Sequence, residues 1–162
     1  MAEKLVANHS SLTLVDADQI INEALKLRLK HDLLPLAVAV LDSGGHVVSI
    51  KREEGCGILR YDIAIGKAWA SLGMGMPTRH IRDRLADRPT FQAALSAASG
   101  GRFIPTPGGV LIVNQDGVAV GAVGISGDAS DKDEYCAIEA IKSVGFIAEP
   151  PMPAKNWNDG RL

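Results

Sequence analysis

The chain has 162 residues, 46% of them hydrophobic and 22% charged, which fits one globular unit with a single core and excludes a disordered or fibrous chain. A formal net charge of −2, with no long run of basic residues, argues against a nucleic-acid or anionic-membrane surface. No stretch approaches the roughly 20 apolar residues needed to span a bilayer, and the start MAEKLVANHSS carries no apolar leader, so a cytoplasmic protein is expected.

Residues 1–12 read as an N-terminal arm, 13–147 as one domain, and 148–162 as an extended, proline-rich tail. Thr13 followed by Asp16 suits a helix start, since a hydroxyl can cap a free N–H and an acid in the first turn favours the helix dipole. Ile20, Ile21, Ala24 and Leu25 give that helix one apolar face to about Lys30. LAVAVLD and HVVSIKR, joined by SGG, predict a β-hairpin. From Tyr61 to Met76 the pattern is helical and apolar on both faces, with Lys67 the only charge between Ile63 and Met76. Such a helix is buried all round, so its second face should meet a partner subunit or a pocket.

Two short helices split near Pro89 follow, and Gly100 and Gly101 end them. GRFIP is read as a short strand, PTPGG as a turn, and VLIV with VAVGAVGIS as a second hairpin around NQDG. Ser130 with Asp133 repeats the capping-box signature at the start of the last helix, and Trp157 in the tail is expected either to pack on a neighbour or to lie in a disordered segment. Two hairpins flanked by helices predict an α+β sandwich on an antiparallel sheet of about five strands, not a Rossmann sheet.

The triplet Gly121, Gly124 and Gly127 matches neither a dinucleotide fingerprint nor a P-loop. Asp128, Asp131, Asp133 and Glu134 follow it and would repel a phosphate at the helix N-terminus. Gly121 and Gly124 are instead expected to leave room for a helix, a ligand or another subunit. Arg52, Lys67 and Arg102 form a basic set, and the PTPGG loop with Gly108 and Gly109 offers backbone N–H groups to an anion. For Arg52 and Arg102 the competing reading is solvated surface. A buried ammonium at Lys67 must meet a carboxylate, a carbonyl or an anionic ligand. His9, His31, His46 and His80 show no zinc spacing; His80, near Met74 and Met76, is the candidate axial ligand for a haem iron, set against the reading of a surface histidine. Cys56 and Cys136 have no neighbouring base, and no G-x-S-x-G occurs.

Four segments in order, LDSGGHVVSIKR, DIAIGKAWASLGMGMPT, GGRFIPTPGGVLI and VAVGAVGISGDASDKDEYCA, resemble the haem-degrading GlcG/HbpS-like family, a domain shared with the C-terminus of PduO-type proteins. The likeness spans about residues 12–146 and includes Asp42, Gly44, Gly45, Arg52, Lys67, Pro105, Gly108, Gly109, Gly121, Gly124, Ser126, Gly127 and Asp133. It implies a profilin-like sandwich, homo-oligomers from dimers to octamers, and haem binding or degradation in some members. If haem is bound, His80, Met74, Arg102, Gly108 and Gly109 are the candidate contacts, with His80 on the iron for its place beside Met74 and Met76 rather than from the resemblance. The alternative is a small catabolic enzyme, a deaminase, tautomerase or hydrolase, acting on a muconate-like or 2-oxo diacid, for example in aromatic degradation. There Arg52 and the Gly108–Gly109 amides would hold carboxylates while Lys67 or Asp133 moves protons. A third possibility is an oligomeric interaction protein with no chemistry.

Overall fold

The computed structural model describes residues 3–162. Helix α1 (Leu14–Lys30) opens on the expected cap: the Asp16 amide donates to Thr13 Oγ1 at 3.0 Å. Replacing Thr13 with alanine should lower stability by about 1 kcal/mol, read from the urea midpoint. Strands β1 (Ala37–Asp42) and β2 (Val47–Arg52) form the first hairpin. Helix α2 (Leu59–Met74) is followed by α3 (Thr78–Leu85) and α4 (Pro89–Ala98). Strands β3 (Gly109–Val113) and β4 (Ala119–Ser126) form the second hairpin, and α5 (Ser130–Ser143) and β5 (Ile147–Glu149) complete the fold. The five strands are ordered β2-β1-β4-β3-β5 and every pairing is antiparallel, giving the expected α+β sandwich.

The two faces of the sheet differ in side-chain size. Val38, Val40, Val110, Ile112, Val123 and Ile125 pack under α1 and α5. Ala37, Ala39, Leu41, Leu111 and Ala122 point the other way, toward Ala64 and Ala68 of α2. Across three adjacent strands Ala39, Gly124 and Gly109 stand side by side on that second face. Period-two alternation therefore separates a branched face from a small one. The small face admits α2 at backbone distance: a Cβ on Gly124 would lie 1.8 Å from the Ala64 carbonyl oxygen, and one on Gly109 2.3 Å from that of Lys67. Gly124 of β4 and Gly109 of β3 thus answer to helix packing, whereas a Cβ on Gly121 would meet the Leu41 carbonyl of the neighbouring strand β1.

Two expectations need correction. GRFIP is not a strand; Pro105 and Pro107 lack N–H groups, and the segment instead lays Ile104 against Gly66 of α2. The fifth strand is β5, whose three residues are too few to show a period. Nor do Ser130 and Asp133 form a capping box. The cap position is Ala129 and makes no side-chain cap, while Asp128 Oδ1 accepts from the Ala129 amide and Asp133 turns inward.

Candidate functional site

Lys67 and Asp133 meet in the interior, each 2% exposed or less, with Nζ 2.9 Å from Asp133 Oδ2. Nζ also donates to the Ile125 carbonyl at 2.8 Å, and Asp133 Oδ1 accepts from the Asp128 amide at 3.1 Å. Burial pushes the Asp133 carboxyl above the usual range, opposed by the Lys67 ammonium and the Asp128 amide. The pair joins α2, on one face of the sheet, to α5 on the other, past the end of β4. Gly108 makes room for it: with φ of +116°, a Cβ there would lie 2.9 Å from Nζ. Lys67 therefore meets both a carboxylate and a carbonyl, the first two of the partners its burial requires.

The other sequence candidates fall into separate places. Arg52 Nη1 donates to the Cys56 carbonyl at 2.6 Å and braces the turn after β2. Burial raises the Cys56 thiol, against the pull of Arg52 and Arg60, so that sulfur is a poor nucleophile near neutrality. Gly108 and Gly109 are buried, and the Gly109 amide already donates to Thr78 Oγ1 at 2.8 Å, which leaves that N–H closed to an incoming anion. His80 is exposed on α3, whose buried side is Thr78, Ile81 and Leu85. No three His, Cys, Asp or Glu side chains come together as a metal site among the described residues, and no described helix is long and apolar enough to cross a membrane.

Arg102 and Met74 do come together, around Trp69 of α2. The Arg102 guanidinium lies 4.5 Å from the centre of the Trp69 ring, a cation–π contact held by an Nε bond to the Ser99 carbonyl at 3.0 Å. Beside them runs an apolar groove of about 160 Å³ between α2 and α4, lined by Trp69, Gly73, Met74, Leu95, Ala98 and Phe103. Trp69 and Gly73 also line a second groove of about 160 Å³, whose other wall is the β1–β2 turn at Ser43–Gly45. Phe103 extends the lining into a third of about 360 Å³ along α4. Together they form a shallow, largely apolar surface. The Arg102 guanidinium stacks on Trp69, which lines two of these grooves, and Arg102 itself lines a further groove of about 430 Å³ with Ile63, Gly66 and Ile104. That surface suits a flat, largely apolar ligand with an anionic end. Trp69 and Arg102 are 33 positions apart in sequence, so their pairing depends on the turn of α4 and has no local signal.

A small α+β sandwich with a close-packed α2, a buried Lys–Asp pair joining its layers and an apolar groove beside α2 is the class of protein these features define. The chain belongs to the family described as haem degrading protein HbpS-like, whose model matches residues 12–142. It is 25% identical over 134 residues to the corrinoid adenosyltransferase PduO of Salmonella typhimurium, covering 83% of this chain but only 39% of that protein. Among solved structures it resembles a double mutant of Streptomyces reticuli HbpS, at 27% identity and a TM-score of 0.72, over 90% of this chain and 96% of that one. A PduOC–haem complex superposes with a TM-score of 0.74 at 23% identity, over 83% of this chain and 96% of that one, a likeness of fold.

Proposed function

We propose that the protein binds haem or a related tetrapyrrole against the Trp69 surface. The observation that carries this reading is the apolar groove with Arg102 stacked on Trp69 at its edge. Family membership and the haem held by PduOC, the partner in a structural likeness, support it. Trp69, Met74, Leu95 and Phe103 fit the apolar macrocycle, and Arg102 fits a propionate carboxylate. The candidate iron ligand His80 is exposed and outside the groove's lining, whereas the Met74 thioether, a candidate haem contact, lines it. At about 160 Å³ the central groove is smaller than the roughly 300 Å³ at which ligand pockets begin, so it provides one wall of a site. A second subunit provides the other wall, in keeping with the expected homo-oligomer. Bound haem would supply redox-active iron; this chain's residues hold the ring, shield one face from water and fix the anionic end.

The comparisons lend the diacid-processing alternative no support. Lys67 and Asp133 are occupied with each other, and the Gly109 amide with Thr78.

Haemin titration of the purified protein should give a saturable Soret shift and quench Trp69 fluorescence. Arg102→Ala should weaken binding about three- to tenfold, the scale of one partly exposed charge-assisted contact. Met74→Leu should alter the bound spectrum. A spectrum that stays that of free haemin, or one unchanged in Trp69→Ala and Arg102→Ala alike, rules the site out.

A further inference from the structure

We propose that residues 150–162 are a strap whose docking is governed by the charge on Glu134. The strap leaves β5 and is fixed to the folded unit at three points. Arg79 Nη2 of α3 donates to the Met152 carbonyl at 2.8 Å. Trp157 stacks on Tyr135 of α5 with ring centres 3.7 Å apart and planes 4° from parallel, and His31 stands edge-on to both rings. Gly160 then lies against Ala129, where a Cβ would come within 3.1 Å of the alanine methyl.

Glu134 sits beside the first of these points. Its side chain is 0% exposed, and neither carboxylate oxygen has a hydrogen-bond partner among the described residues. The nearest cation is Arg79, with Nε 3.3 Å from Oε2 but not aligned to donate. The same guanidinium thus serves both the buried acid and the strap. The charged groups around Glu134 are Arg79, Arg82 and Asp83 of α3 and Asp131 of α5. Burial outweighs the attraction of Arg79 and pushes Glu134 from its ordinary 4.5 up to about 7.

The sign follows from linkage. A carboxyl whose pKa is raised in the docked state favours docking while it is protonated. That contribution is lost as pH rises from the ordinary carboxylate range through about 7. An ionised Glu134 needs water or a better-aligned donor. Turning Arg79 to donate to the carboxylate would break its bond to Met152 and loosen the strap.

Hydrogen exchange of the full chain between about pH 4.5 and 8.5, corrected for intrinsic rates, tests this. Protection of peptides from 150–162 should fall by up to about tenfold per pH unit, the limit for one linked proton, as pH rises from the ordinary carboxylate range to about 7, and level off above it, while β3 and β4 stay constant. Glu134→Gln should flatten the dependence. His31 faces Trp157 and also belongs in the test: a slope that disappears in His31→Gln but persists in Glu134→Gln overturns the assignment. Carboxyl carbon NMR of the wild-type protein is the check that needs no variant. A Glu134 signal titrating below about 5, or strap protection indifferent to pH, also overturns it.

Discussion

Lys67→Met should destabilise the protein by about 3–5 kcal/mol at pH 7.5, the cost of leaving one member of a buried ion pair alone. The Asp133 carboxylate would keep only the Asp128 amide, and the Ile125 carbonyl would lose its Nζ donor. Burial already raises Asp133, and without Lys67 the main opposing attraction is gone. The stranded acid should therefore take up a proton. A raised folded-state pKa stabilises at low pH and loses its effect as pH rises, so the Lys67→Met deficit should be smaller at pH 5 than at pH 8. Asp133→Asn removes the charge and keeps an acceptor for Asp128. The double variant should accordingly recover most of the loss at pH 8. Urea unfolding of the four proteins at both pH values decides the matter. Single variants losing under about 1 kcal/mol, or a double variant as unstable as the sum of its parts, would show that the pair does not hold α2 to α5.

How much of this was legible in the sequence varies with the range of each interaction. The α2 pattern is local, so its burial and the anomaly of Lys67 could be read directly. Asp133, by contrast, lies 66 positions away, and its S-x-x-D context matches a common cap. Local pattern could not show that the side chain turns inward to a lysine on the far side of the sheet. The sheet's two hairpins were legible because strand periodicity and turn residues coincide. β5 was not, because its pairing with β3 is the only thing that makes it a strand. The groove was the least legible feature. Met74 and Arg102 had been singled out separately, but Trp69, which brings them together, is an ordinary member of an apolar face until α4 folds back. Glu134 is one of several acids at a helix start, and nothing local marks its side chain as fully buried.

Gly124→Ala should be the most damaging single methyl that can be added to the sheet. The new Cβ would lie 1.8 Å from the Ala64 carbonyl oxygen and 2.8 Å from the Ala68 nitrogen, distances no rotamer can relieve. Because both atoms belong to the α2 backbone, the helix itself must move off the sheet. Overpacking of this kind typically costs about 1–3 kcal/mol, and a backbone clash belongs at or above the top of that range. Gly57→Ala is the matched control: nothing lies within 4 Å of its Cβ position and its φ is not positive, so stability should change by no more than about 0.5 kcal/mol. Ala64→Gly should not rescue Gly124→Ala, since it removes a methyl and leaves the obstructing carbonyl in place. A rescue would mean that the layers meet through side chains, against the small-residue row of Ala39, Gly124 and Gly109. The shift also reaches the groove. Trp69 and Met74 ride on α2 while Leu95 and Phe103 do not, so any folded Gly124→Ala protein should bind haemin more weakly even though the altered residue touches none of the groove. Unchanged haemin affinity in a destabilised but folded variant would separate the packing of α2 from the ligand surface.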